Sequence, residues 1–145
     1  EMQTGKEVFE KCLKEYISRW KYKHPTPYDF FYTFNNVSGQ DLNWFWKAWY
    51  FEPGVPDLAI TSASCKAGKC TVTVKNTGSV PLPVYLQFTT EDGTTVLYDV
   101  PADTWKDGKK EVVLTKEIKQ KVTDIKLGNP EIPDINPSDN NFKIK

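Results

Sequence analysis

Apolar residues recur at two different spacings along the chain, and the change of spacing divides it. Up to Phe51 they lie three or four positions apart, as on one face of a helix, and after Pro56 they alternate with polar residues, as in a half-buried strand. Residues 52–56 contain two prolines and a glycine, which a helix cannot cross. The pattern predicts a helical segment over 1–53 and a strand-rich segment over 57–145.

Three start signals predict three short helices in the first segment. Thr4 and Glu7 have capping-box spacing, Thr26 is followed by Pro27 at the first helical position, and Ser38 begins a third signal. We expect the third helix to end near residue 51. The apolar positions of the three helices are Phe9, Leu13, Tyr16, Ile17 and Trp20, then Phe30, Phe31 and Phe34, then Leu42, Phe45, Trp46 and Trp49.

Alternation after residue 56 predicts short strands separated by turn signals about ten residues apart. Such spacing is typical of a β-sandwich. The predicted fold class is therefore α+β, with three short N-terminal helices followed by an immunoglobulin-like antiparallel β-sandwich. The strands are expected near 57–64, 69–76, 82–90, 94–100, 110–115, 122–128 and 141–144.

Two of the three cysteines, Cys65 and Cys70, flank a short turn and have the spacing of a disulfide that closes a hairpin. That pairing would place Ala63 opposite Val72, whereas the apolar pattern prefers Ile60 opposite Val74. The two registers differ by one residue, so a disulfide and two reduced thiols both remain open. A disulfide would favour a periplasmic, cell-surface or secreted protein, with the cytoplasm as the alternative.

Charge and hydropathy exclude several classes of partner. The 19 basic and 19 acidic residues balance, so no nucleic-acid footprint is expected, and the lysines at 109, 110, 116, 119 and 121 fit a solvated edge. No apolar run approaches the length of a membrane span. The first residues lack the basic and apolar regions of a signal peptide, which fits either a cytosolic protein or a piece of a longer precursor.

A series of motifs in the first 56 residues resembles the end of the catalytic domain in the membrane alanyl aminopeptidase family of zinc metallopeptidases, the gluzincins. The residues that carry the resemblance are Gly5, Phe9, Tyr16, Thr26, Asp29, Phe30, Ser38, Gly39, Asp41, Leu42, Trp49, Gly54 and Pro56. The resemblance implies that residues 1–53 are the tail of a peptidase domain and that 57–145 are the sandwich domain that follows it. The parent enzyme would remove N-terminal residues from peptides.

The chain departs from that family in lacking the zinc site. The family binds zinc through His-Glu-x-x-His and a downstream Glu, and this chain has one histidine. We therefore expect no catalytic residue, cofactor or metal ligand here, and the resemblance implies that zinc, peptide substrate and catalysis belong to an upstream catalytic domain of the same polypeptide. The chain would be a non-catalytic fragment that braces that domain.

Other candidate chemistry has ordinary interpretations. His24 fits a helix end or a solvated site, and Cys12 fits a small buried residue rather than a nucleophile. The segment 134–138 begins like a calcium loop, but Asp139 stands where that loop needs glycine, so turn chemistry is favoured over calcium.

Residues 43–51 contain six aromatics, which surround a helix rather than forming one stripe. We expect some of these rings to pack on the sandwich and others, with Trp44, Trp46, Trp49 and Tyr50 as candidates, to contact the upstream domain. The alternative is an extracellular β-sandwich module whose clustered aromatics bind carbohydrate or peptide. A third possibility is a complete small enzyme with an unfamiliar site.

Overall fold

The computed structural model describes residues 4–144, and the chain divides between residues 52 and 53 into two compact units. The first unit is helical, and the second contains two antiparallel sheets in a sandwich-like arrangement. The predicted α+β class is confirmed.

From residue 4 to residue 52 the helical unit contains three α-helices and one π-helical turn. The helices are α1 (Lys6–Trp20), α2 (Pro27–Ser38) and α3 (Asn43–Trp46), and the π-helix follows directly over Lys47–Phe51. The start signal at Thr26 is confirmed, because the Asp29 carboxylate accepts hydrogen bonds from the Thr26 amide at 2.7 Å and from its hydroxyl at 2.8 Å. Pro27 occupies the first helical position, where a missing amide hydrogen costs nothing.

The two other start signals are wrong. Helix α1 begins after Gly5 with no side-chain cap, and the Thr4 hydroxyl donates to the Gly5 carbonyl instead. Ser38 ends α2 rather than starting a helix, since its hydroxyl donates back to the Phe34 carbonyl at 2.6 Å. Gly39 then reverses the chain with φ of 68°, a left-handed conformation that glycine adopts at little cost.

The core of the helical unit is largely aromatic. Cys12, Phe31, Phe34, Leu42 and Trp46 are buried in it, with Phe9, Leu13, Phe30 and Phe45 packed around them. Most of the predicted apolar positions belong to this core, but Ile17 on α1 is 53% exposed. Ile17 faces solvent because α1 packs through the face that contains Phe9, Cys12 and Leu13. Tyr16, Trp20 and Trp49 are partly buried and lie outside the core cluster.

The described part of the second unit, residues 53–144, has seven strands in two sheets, ordered β1-β2-β5 and β4-β3-β6-β7. All seven predicted strands are present, and every bound differs by no more than two residues. This order is that of an immunoglobulin-like sandwich in which the fourth strand has moved to the opposite sheet. The strands are β1 (Leu58–Lys66), β2 (Lys69–Asn76), β3 (Val84–Thr90), β4 (Thr95–Val100), β5 (Glu111–Glu117), β6 (Val122–Leu127) and β7 (Asn141–Lys143).

The alternating residues of β2 and β3 supply the sandwich core. Val72, Val74, Leu86 and Phe88 are each at most 1% exposed. The link between β4 and β5 was predicted only as a turn, but it forms 3₁₀ turns over Ala102–Gly108. It contains the buried Trp105, whose indole N–H donates to the Leu82 carbonyl at 2.7 Å. This bond ties the crossover between the sheets to the segment that leads into β3.

A β-bulge in β1 accommodates both predicted registers. Near the turn Cys65 lies opposite Cys70 and Ala63 opposite Val72, whereas before the bulge Ile60 lies opposite Val74. Cys65 and Cys70 are joined by a disulfide. The one-residue slip between Ile60 and Ser62 lets the hairpin bridge the cysteines and still bury Ile60.

Candidate interaction surface

The helical unit exposes a cluster of aromatic rings, here called the aromatic face: Tyr28, Tyr32, Tyr50 and Phe51. These four side chains are 53%, 64%, 62% and 52% exposed, respectively. Tyr28 stacks on both neighbours, with ring centroids 6.4 Å from Tyr32 and 5.8 Å from Phe51. Exposed aromatic surface of this kind is typical of an interface.

Two local features of the backbone hold the face in place. Tyr28 and Tyr32 lie one turn apart on α2, whose start is fixed by the Asp29 carboxylate. Tyr50 and Phe51 lie on the π-helix, where the Glu52 amide donates to the Lys47 carbonyl five residues back at 3.1 Å. The wider turn puts both rings against buried Phe31, with centroids at 5.0 and 5.7 Å.

The predicted interface residues separate into two groups. Tyr50 belongs to the aromatic face, but Trp46 is only 8% exposed and packs within the core, where its indole N–H donates to Asn35 Oδ1 at 3.0 Å. Trp44 and Trp49 are partly exposed, and each ring contacts Phe45 with centroids 5.8 Å apart. Trp46 therefore offers little surface to a partner.

Three members of the face, Tyr28, Tyr32 and Phe51, were not among the predicted interface residues. Tyr28 and Tyr32 are four positions apart on α2, off the stripe formed by Phe30 and Phe34. That second apolar face is a signal the sequence does contain. The π-turn that brings Phe51 beside Tyr28 has no comparable sequence signature.

A shallow hollow of about 350 Å³ adjoins the face. Tyr16, Pro25, Pro27, Phe30 and Tyr50 contribute to its wall. The wall contains no charged side chain, so an apolar side chain of a partner fits it better than a polar ligand does.

The aromatic side chains of the sandwich offer less surface. Phe88 and Trp105 are at most 4% exposed. The clustered aromatics that the binding-module hypothesis invokes therefore lie in the helical unit and not in the sandwich.

The candidate catalytic groups are not assembled into a site. His24 is exposed and lies beyond the end of α1, and Cys12 is fully buried, so burial raises the pKa of its thiol. Within residues 4–144 no three side chains from among His, Cys, Asp and Glu are arranged to hold a metal ion. The residues that the structure describes therefore do not fit a catalytic zinc site, which needs three protein ligands.

The predicted solvated lysines are distributed among separate contacts. Lys121 Nζ pairs with the Glu91 carboxylate at 2.7 Å, and Lys116 Nζ lies 5.0 Å from the centroid of the Tyr98 ring. The helices of the described residues reach at most 15 residues, and none is long and apolar enough to cross a bilayer.

Comparison with known proteins finds the fold but no family. The structure superposes on Legionella pneumophila aminopeptidase A, solved in complex with aspartic acid, with a TM-score of 0.65 and 21% identity. The match covers 86% of this chain and 14% of that protein's chain. A β-glucuronidase from Ruminococcus gnavus superposes with a TM-score of only 0.30 and 13% identity, over 62% of this chain and 15% of that one, which is too poor a fit to compare folds. No protein-family profile and no curated protein sequence matches the chain.

Proposed function

We propose that this chain is the non-catalytic C-terminal portion of a zinc-dependent aminopeptidase, an enzyme that removes N-terminal residues from peptides. The observation that supports the proposal is the structural likeness to an aminopeptidase over 86% of this chain and 14% of that one. The motifs from Gly5 to Pro56 that resemble the end of a peptidase domain agree with it. Zinc and peptide substrate would be held by the upstream part of the polypeptide, because the residues here do not fit a zinc site.

In this proposal the aromatic face is the surface that braces the upstream catalytic domain. Four rings more than half exposed on a unit of about 50 residues are poorly suited to water, and the adjoining hollow has no charged wall. A catalytic domain of the same polypeptide would cover both. Burying an aromatic ring contributes roughly 1.5–3 kcal/mol, so two or three such rings suffice to hold a domain contact.

The coding sequence upstream of Glu1 gives the first test. The proposal expects a helix with the His-Glu-x-x-His pattern in the same reading frame, because two imidazoles at i and i+4 and the intervening Glu form the zinc site. A reading frame that encodes no such pattern would contradict the proposal.

The aromatic face can be tested in the complete polypeptide by substituting Tyr28 and Tyr50 together with serine. We expect the temperature at which aminopeptidase activity is lost to fall by several degrees, because the two rings no longer pack on the catalytic domain, while kcat at low temperature is kept. The matched control is Tyr22→Ser, since Tyr22 is fully exposed at 101% and lies outside the face. Equal effects of the double variant and the control would remove the bracing role.

The 145-residue chain alone should release no amino acid from aminoacyl p-nitroanilide substrates, since it has one histidine. Turnover by the purified chain would favour the third possibility, a complete small enzyme. Incubation with peptides and glycans while tryptophan fluorescence is followed tests the binding-module alternative. Saturable quenching would support that alternative.

The compartment is part of the same proposal. The Cys65–Cys70 disulfide favours a periplasmic, cell-surface or secreted protein, because cytosolic thiols are kept reduced. Mass spectrometry of the alkylated, unreduced protein isolated from its native cells would show the two cysteines unmodified. Alkylation of both would favour the cytoplasm.

A further inference from the structure

Asp57, Asp134, Asp139 and Asn140, here called the acidic corner, lie where the chain enters the sandwich and where it approaches its last strand. Asp134 Oδ2 accepts hydrogen bonds from the Leu58 amide at 3.3 Å and from Asn140 Nδ2 at 3.0 Å. The main chain adds a further link, because the Ile135 amide donates to the Pro56 carbonyl at 3.1 Å. Residues 76 positions apart are thereby held in one corner of the fold.

The corner contains oxygen atoms that are buried and have no hydrogen-bond partner. Within residues 4–144, five side-chain nitrogen or oxygen atoms are in that state, and three of them are Asp57 Oδ1, Asp139 Oδ1 and Asn140 Oδ1. A fourth, Asn76 Oδ1, belongs to the residue paired with Leu58. Asn140 itself is only 4% exposed. A buried oxygen without a donor is unfavourable, so each of these acceptors needs a water molecule or a cation beside it.

In Asp57 and in Asp139 one carboxylate oxygen accepts a hydrogen bond from the protein and the other accepts none. Asp57 Oδ2 accepts from the Thr77 hydroxyl at 2.6 Å, and Asp139 Oδ2 accepts from Asn136 Nδ2 at 2.7 Å. Asp134 has partners for both oxygens, since its Oδ1 accepts from the Asn136 amide at 2.9 Å. Asp134 therefore positions the Asn140 amide, and the remaining acceptors are Asp57 Oδ1, Asp139 Oδ1 and Asn140 Oδ1.

No ion pair within residues 4–144 involves Asp57, Asp134 or Asp139, and Lys110, whose carbonyl accepts from the Asn76 amide, donates through its ammonium group to the Gly78 carbonyl instead. Burial raises the pKa of Asp139, and the charges of Asp57 and Asp134 raise it further, so the carboxylates lie within electrostatic reach of one another. In the described part of the chain, the ion pairs of lysine and arginine are all formed with glutamates elsewhere. A cation coordinated by the unpartnered oxygens would also balance the negative charge.

The kinds of donor select the cation. Calcium accepts six to eight oxygen ligands from carboxylates, amides, main-chain carbonyls and water, whereas zinc prefers nitrogen and sulfur and magnesium requires a near-octahedral shell. Two carboxylates and one amide suit calcium, with water completing the shell. We propose that the acidic corner binds one calcium ion through Asp57, Asp139 and Asn140. The turn predicted for 134–138 is present, since the Asn136 amide donates to Asp134 Oδ1. The proposed site differs from a sequential calcium loop because Asp57 comes from the start of the sandwich sequence and Asp139 from near its end.

The test measures thermal unfolding of the 145-residue chain with and without calcium. Extracellular calcium modules have dissociation constants of about 0.1–1 mM, so 10 mM CaCl₂ is expected to raise the Tm by about 5–20 °C, and MgCl₂ by less. Asp139→Asn should have a higher Tm than the parent chain in EDTA, because a repelling charge is gone, and should lose most of the calcium response. Asp103→Asn, an exposed carboxylate outside the corner, should respond as the parent chain does.

Two further measurements keep the result independent of one variant. Asp57→Asn should lose the calcium response in the same way, and calcium added to the ¹⁵N-labelled parent chain should shift the amide signals of Leu58, Asn136 and Asn140 in a saturable manner. No Tm shift with calcium in the parent chain would overturn the proposal. So would a full calcium response in Asp139→Asn, or stabilisation by acidification to pH 5 with no calcium response, which would indicate a shared proton instead.

Discussion

Cys12 shows how burial decides the chemistry of a single residue. The side chain has no exposed surface and its thiol donates to the Phe34 carbonyl at 3.8 Å. Burial raises the pKa of the thiol, so the reactive thiolate is disfavoured at neutral pH.

We therefore predict that the folded chain, with its disulfide intact, does not react with 5,5′-dithiobis(2-nitrobenzoate), whereas the denatured unreduced chain reacts at one thiol. Absorbance at 412 nm gives the number of thiols in each state. Rapid labelling of the native chain would contradict the buried position of Cys12 or the disulfide.

Asp92 predicts a pH dependence of stability. Its Oδ1 accepts from the Thr90 hydroxyl at 2.5 Å and from the Thr94 amide at 3.0 Å, and these bonds, the first most strongly, hold the pKa of the carboxyl below its usual value. A depressed folded pKa stabilises the fold above about pH 4, the pKa of an unfolded Asp, and that stability is lost as pH falls through the folded pKa.

Asp92→Asn should therefore lower the Tm at pH 7, and the difference from the parent chain should shrink as pH falls toward 2.5. The control is Asp103→Asn, an exposed carboxylate outside the turn between β3 and β4 that contains Asp92. A difference that stays constant across this range would mean that the charge of Asp92 has no part in the effect.

Ser38 shows why some residue-level predictions fail. A hydroxyl followed by an acidic residue three positions later fits a helix start, but the same hydroxyl can donate back to the carbonyl four residues before it. Gly39 ends α2 at that point, so Ser38 is used by the preceding helix. Whether such a serine ends one helix or starts the next depends on how the two helices pack, and a four-residue pattern carries no information about that packing.

At the scale of elements, the strands followed from the sequence because alternation reflects burial directly. Val72 and Val74 alternate with polar residues in the sequence, and both are fully buried. The bulge in β1 was visible only as a conflict between two registers, each correct for one half of the strand. The π-helix over Lys47–Phe51 was not predicted, because its extra residue per turn depends on how the aromatic rings pack. The aromatic face was consequently predicted only in part.

The loop after β2 depends on the absence of a side chain at Gly78. A Cβ there would overlap the Val55 carbonyl oxygen and the Asp57 amide, both of which belong to the backbone and cannot move aside cheaply. The Gly78 and Ser79 amides donate to the Asp57 and Val55 carbonyls at 3.0 and 3.1 Å, so the close approach is part of the fold.

We predict that Gly78→Ala lowers the free energy of unfolding by about 1–3 kcal/mol, the usual cost of overpacking. Urea unfolding followed by circular dichroism measures it. Ser79→Ala should change little, because Ser79 bonds through its main-chain amide. A near-neutral Gly78→Ala would show that the loop can shift away from residues 55–57.

At the scale of the whole chain, two periodicities predicted two kinds of structure, and each unit has its own core. The acidic corner was the harder feature, since it joins residues from opposite ends of the sandwich sequence. Sequence patterns within a window describe neighbours in the chain and do not reveal such a meeting. Only the topology, with β1 and β7 at the edges of different sheets, brings Asp57 close to Asp139.

The bond between the Leu58 amide and Asp134 also brings the two ends of the sandwich close together. Residue 58 lies beside the segment that precedes β7, and the last residue of β7 is only about 10 Å of extended chain beyond Asn140. A module whose two ends lie close together can be inserted into a surface loop of a host protein without separating the host's own strands. A cassette of residues 53–144 placed in a permissive loop of a reporter enzyme should preserve the reporter's activity with connecting segments of only a few residues.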